Sequence, residues 1–278
     1  MSRVTSDRPF PRLKANQQTG SKPRCHLLTD GTRPEIASRL TALIERWGGV
    51  SAKDDWMPDG FGDTKEAQLH TSSKIIGDER IRSALIDWWF AVPGNRRTTT
   101  PNWDIASTCT VGNDQGILLV EAKAHDAELR NVERGKPLEG EDNKGVSMDS
   151  RRNHVRIGTC IQDASLALSA QTGLPWALSR DWNYQMANRF AWAWKVADLG
   201  IPVILVYLGF TGCKEMRKAK NRQQPIESLK DWQQLVESHS RPLFPQEVWE
   251  TQWNVNGRSL IPLIRVVNQP LAREASPS

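Results

Sequence analysis

No run of about eighteen apolar residues occurs in the chain, so nothing in it reads as a membrane-spanning helix. The opening residues, MSRVTSDRPFPRLK, lack the apolar centre of a secretory leader, and the expected location is cytoplasmic. Cysteine is scarce. Cys25, Cys109, Cys160 and Cys213 lie far apart with no C-x-x-C pair, which argues against a disulfide framework or a zinc knuckle and fits a reducing compartment. There is no internal repeat, no Walker loop and no G-x-S-x-G nucleophile elbow. Tyrosine is rare, with 2 residues against 12 Trp. Most of the Trp are expected in the core, with some left to line a groove.

What is present is ordinary for a globular protein: 278 residues, 38% hydrophobic and 25% charged. That length suffices for one domain with extensions. Residues 1–30 are polar, basic and rich in Pro, Gln and Ser, and read as a mobile arm. Residues 31–268 read as a single α/β domain with a C-terminal extension, and 269–278 as a flexible tail. The net charge of +5 is compatible with a polyanionic partner.

The chain is organised around residues 101–125, PNWDIASTCTVGNDQGILLVEAKAH. Two apolar, β-branched runs flank a polar turn at 112–116, the pattern of a β-hairpin. A turn centred near Asn113 and Asp114 sets Asp104 opposite Lys123. Side chains alternate along a strand, so Glu121 and Lys123 share one face and Ala122 points the other way. Two carboxylates, with the backbone carbonyl of Ala122, suit Mg²⁺, which keeps several waters that a phosphate can replace. Lys123 is placed to orient or deprotonate such a water, or to stabilise charge on the phosphate. The competing reading is a cross-strand ion pair on a solvated face. The unbroken run Ile117-Leu118-Leu119-Val120 favours a strand buried on both faces, where Glu and Lys are usually paired or functional.

Asp104, followed by Glu121-Ala122-Lys123 at the end of an apolar strand, resembles the PD-(D/E)XK nuclease superfamily over about residues 64–210. The departure is Trp103, where the superfamily often has Pro. The resemblance implies a restriction-endonuclease-like fold: a central mixed β-sheet flanked by helices. It also implies Asp104 and Glu121 as ligands of Mg²⁺, or of Mn²⁺, and Lys123 as an aid to phosphodiester hydrolysis, with DNA as partner and a homodimer as one possible assembly. A helix before the metal hairpin often supplies a further acid in such proteins, and Glu66 is the candidate, with Glu79 behind it. A following helix often supplies a Gln, Arg or Lys, which points to Gln185 and then to Arg189 at the nucleic acid.

The remaining elements follow from periodicity. Helical spacing covers 32–47, and two helical stretches broken near Gly77 cover 64–89, the first capped by Thr64 and the second by Asp78. His70 reads as a surface or packing histidine. Residues 126–152 read as a long charged loop with a helical start, 153–172 and 183–194 as helices, and 202–210 as a second buried strand. Helix is expected at 226–237 and an extended segment at 260–267. The basic run after the second strand makes Lys214, Arg217 and Lys218 the candidate phosphate contacts. Two other function classes remain open: a nuclease-like module without catalysis that binds nucleic acid or a protein, and a structural ion pair in an unrelated α/β protein.

Overall fold

The computed structural model describes residue 10 and residues 12–94, 99–130, 146–217 and 223–271. In chain order its elements are α1 (Ser21–Leu28), α2 (Arg33–Ile44), β1 (Gly48–Gly49), β2 (Trp56–Met57) and α3 (Glu79–Trp89). Then come β3 (Ile105–Val111), β4 (Asp114–Lys123), α4 (Asp126–Arg130), α5 (Met148–Thr172) and α6 (Tyr184–Asp198). The series closes with β5 (Val203–Thr211), α7 (Leu229–Ser240), β6 (Trp253–Val255) and β7 (Arg258–Asn268).

The strands form one mixed seven-stranded sheet in the order β1-β3-β4-β5-β7-β6, with β2 also pairing β3. Strands β3 and β4 are antiparallel, whereas β4, β5 and β7 run parallel. The chain covers both faces of the sheet. Ile117 and Leu119 of β4 join a core with α3, α5, α6 and α7. Leu118, Val120 and Ala122 join a second core with α1 and α2. This double cover is the reason 117–120 is apolar without alternation. The α/β class and mixed sheet agree with expectation. The Trp residues are core, with Trp89, Trp103, Trp192 and Trp232 fully buried, and Trp182 is the exposed one at 52%. The four cysteines are buried and free. Among the described residues no helix is long and apolar enough to cross a membrane.

Several expectations are corrected. The described part of 1–30 is packed rather than a mobile arm. Leu13, Cys25 and Leu28 are buried, and Arg24 is fully buried, donating to the carbonyls of Gly20 and Gln269 and to Glu215. Polar composition misleads here because tertiary partners satisfy the buried charge. The first helix expected within 64–89 is absent. Those residues form turns and one bridge, Ala67 to Trp103. The amides of Thr71 and Ser72 close one isolated turn on the Gln68 carbonyl, which the Thr71 hydroxyl also engages, and the turn is not continued as a helix. Thr64 therefore caps nothing, while Asp78 caps α3 by accepting from the Arg80 amide. Helix α5 begins five residues earlier than read, because the Ser147 hydroxyl accepts from the Ser150 amide as its N-cap. Helix α7 lies three residues later than expected, capped by Ser228. Residues 131–145 and 272–278, which hold part of the expected charged loop and most of the expected tail, lie outside the described residues.

The hairpin register is also corrected. Val111 pairs with Asp114, so the turn is Gly112-Asn113, with Gly112 at φ +60°, rather than five residues. Ile105 pairs with Val120, which puts Asp104 level with Glu121 instead of Lys123. The slip is two residues, so every side chain keeps its face.

Candidate active site

Strand β4 is antiparallel to one neighbour and parallel to the other, and its carboxyl end is where the sheet changes sense. In open α/β sheets such ends form crevices. Glu121 and Lys123 occupy this end, on the face covered by α6.

Glu121 is 1% exposed and holds its charge through two cations. Lys123 Nζ donates to Oε1 at 2.5 Å and Arg189 Nε donates to Oε2 at 2.6 Å. Burial alone raises the pKa of Glu121, but Arg189 and Lys123 outweigh it and leave the carboxyl below its ordinary value. Lys123 is buried too, which works against its charge. The carboxylates of Glu121 and Asp104 more than offset that, so its pKa lies above the ordinary lysine value and the amine is an ammonium at neutral pH. Gln185 Oε1 accepts a second hydrogen bond from Lys123 Nζ at 3.0 Å.

Asp104 joins the strand end through its backbone neighbour. The Ala122 amide donates to Oδ2 at 2.8 Å. Its pKa is pushed from 3.8 to about 7, first by desolvation and then by Glu121, with Lys123 and the Ala122 amide opposing. Asp104 therefore carries an unmet demand for positive charge, which a proton or another cation can satisfy. Among the described residues no three His, Cys, Asp or Glu side chains are grouped as metal ligands. Two carboxylates are nonetheless a sufficient protein contribution for Mg²⁺, whose remaining ligands are waters and substrate oxygens.

The structure brings together Asp104, Glu121, Ala122, Lys123, Gln185 and Arg189. Arg189 is placed differently from expectation. It is 6% exposed, donates also to the Asn102 carbonyl and the Asn188 side chain, and lies 4.8 Å over the Trp103 ring. Its charge is spent inside, holding Glu121, not on a surface contact. Trp103, the departure from the superfamily pattern, is the platform for this guanidinium. Glu66 lies outside any helix and pairs with Lys22 of α1. Its charge still reaches Asp104 as the smallest of the influences that raise it. Lys214 is exposed just beyond β5, at the same end of the sheet as Lys123, which pairs with Gly209. Arg217 is exposed and paired with Glu227 at 2.7 Å, and Lys218 lies outside the described residues. His70 packs against Thr100, its Nδ1 at 3.0 Å from the hydroxyl.

Sequence reasoning missed Glu128 and helix α1. Glu128 Oε2 accepts from the Ala124 amide at 2.7 Å, and its charge acts on Lys123. Its signal was an acid in the first turn of α4. Helix α1 brings Cys25 into the field of Asp104, Glu66, Glu128 and Glu121, and burial together with those charges drives its thiol well above the usual value. That thiol is inert packing. No local pattern in residues 21–28 announced this position.

Compared with protein-family models, curated proteins and solved structures, the chain has no match.

Proposed function

We propose that the protein is a metal-dependent nuclease of restriction-endonuclease-like fold, hydrolysing phosphodiester bonds in DNA. The observation that carries this reading is the constellation at the end of β4. Asp104 and Glu121 stand level, Lys123 is a buried ammonium beside them, and burial and then the Glu121 charge raise the pKa of Asp104 to about 7.

Asp104 and Glu121 are the residues to hold Mg²⁺ or Mn²⁺, with the strand end at Ala122. When bound, the ion supplies Lewis-acid charge at the phosphate and lowers the pKa of a coordinated water. The chain's own residues then have separate tasks. Lys123, already protonated, offers positive charge to a phosphate oxygen rather than a base to water. Gln185 fixes the direction of the ammonium, and Arg189 fixes Glu121. The water oxygen bonds to phosphorus, the bond to the leaving oxygen breaks, and the proton that oxygen takes is matched by one that the attacking water gives up. Lys214, at the same end of the sheet, is exposed toward the flanking phosphates, whereas Arg217 would first have to leave Glu227.

The test is cleavage of supercoiled plasmid and short single-stranded DNA with Mg²⁺, Mn²⁺ or EDTA. Wild type should cut only with metal. An Asp104→Ala plus Lys123→Ala double variant that cuts as well as wild type would overturn the proposal. One observation favours the second reading, a binding module without catalysis. Both oxygens of Glu121 are engaged by internal cations. Calorimetry with Mn²⁺ separates the two: heat that disappears in Asp104→Ala supports the nuclease, and no heat supports the module.

A further inference from the structure

Beside Lys123 the surface opens into a cleft of about 280 Å³. One wall is the segment holding Thr99, Thr100 and Asn102, and the other is the first turns of α6, with Gln185, Asn188 and Arg189. Gln185 belongs to both places: its Oε1 accepts from Lys123, and its side chain lines the cleft. An occupant of the cleft is therefore one side chain, Gln185, away from Lys123.

The chemistry of the walls selects the occupant. Among the described residues the lining is hydroxyls and amides with Pro101 and the Tyr184 ring, and its one formal charge, Arg189, is neutralised by Glu121. Among the described residues a phosphate would find no available cation there. A flat group with mixed donors and acceptors would find many partners. The amide nitrogens of Asn102 and Gln185 have no hydrogen-bond partner among the described residues, because each side chain uses only its oxygen, toward Gln68 and Lys123 respectively. Free side-chain amides of this kind are what read the edge of a base. A second observation is independent of the cleft. Trp182 is the exposed member of the chain's 12 Trp and precedes the α6 wall by two residues. Exposed aromatic rings beside a nucleic-acid path are stacking platforms for unpaired bases.

We infer that this cleft is a base pocket: it receives one unstacked nucleobase of the DNA strand, next to the phosphate held at Lys123, with Trp182 as a stacking neighbour. The inference rests on the nuclease reading for the position of the phosphate, but the base contact itself does not depend on cleavage.

The experiment uses the full chain and fluorescence anisotropy in Ca²⁺, with a labelled single-stranded DNA 12-mer and the same backbone made abasic. Wild type should bind the base-bearing strand at least tenfold more tightly. Thr99→Trp, at an exposed position, fills the cleft. It should remove that preference while leaving the abasic strand bound as before. Trp182→Ala should weaken the base-bearing strand by roughly 5- to 150-fold. Equal affinity of wild type for both strands, no binding of either, or a preference that survives Thr99→Trp overturns the pocket. Mg²⁺-dependent cleavage of the same 12-mer is followed in parallel. A base preference without cleavage keeps the pocket and counts against the nuclease. Cleavage without a base preference does the reverse.

Discussion

Arg189 Nε lies 2.6 Å from Glu121 Oε2, and both side chains are buried. The pair joins α6 to β4 across 68 residues of chain. A buried ion pair of this kind is weak evidence of net stability, but breaking one side of it leaves an uncompensated charge. Arg189→Met should therefore destabilise the protein by about 3–5 kcal/mol. Adding Glu121→Leu should recover part of that loss, since the carboxylate stranded by the first change is removed and Lys123 keeps Asp104 as a neighbouring carboxylate. Urea unfolding of the two single variants and the double variant measures the coupling, and additive losses would mean that the pair does not hold the site.

Asp104 sets the pH dependence. Its folded pKa of about 7 lies above the ordinary 3.8, so the folded state binds more protons than the unfolded state between those values. Stability contributed through this group is full below about pH 4 and is lost as pH rises toward 7. Glu121 acts in the opposite sense. Its folded pKa is lowered from 4.5, so its contribution is present above that value and is lost on acidification through the folded pKa. The Asp104 effect is thus best read above pH 5. Asp104 adds a downward slope to metal-free thermal melts between pH 5 and 7, against the upward one from His26 and His70, whose pKa values burial lowers, and Asp104→Asn should remove that downward part. An unchanged slope in Asp104→Asn would assign it to another group.

Lys123 and Gln185 should separate in kinetics. Lys123→Ala removes charge offered to the phosphate, and the cleavage rate should drop by about 10²- to 10³-fold. Gln185→Ala removes only the support of that charge, so a loss of about 10- to 100-fold is expected. Single-turnover cleavage rates check the order, and a larger loss for Gln185→Ala would place the glutamine, not the lysine, at the reacting group.

Tyr207 offers a stability test. It is 1% exposed, level with Glu121 in the β4–β5 register, and its hydroxyl has no hydrogen-bond partner among the described residues. Leaving a buried hydroxyl unsatisfied costs about 1–3 kcal/mol. Tyr207→Phe should be neutral or stabilising, by up to about 1–3 kcal/mol, in chemical denaturation. A marked destabilisation would reveal a partner for the hydroxyl.

The site was legible where its signals were local. The apolar run 117–120 marked β4 as buried, and the period of a strand put Glu121 and Lys123 on one face. Helical spacing after Asn183 placed Gln185 in the first turn of α6, where it meets Lys123. The errors fell where local signals compete. A Gly112-Asn113 turn replaced a longer loop and moved Asp104 by two pairs. Helix-like spacing after Thr64 gave way to turns, where the Thr71 hydroxyl and the Thr71 and Ser72 amides converge on the Gln68 carbonyl.

By itself, the sequence determined the α/β class, the central buried strand and the shared face of Glu121 and Lys123. Periodicity and burial are written in neighbouring residues. Tertiary structure alone decided that Arg189 neutralises Glu121, that Asp104 stands level with it, and that a basic N-terminal segment packs as α1 against the same strand end. Those outcomes depend on which elements meet across long stretches of chain. Each is settled by the cost of burying charge without a partner, which no local pattern records.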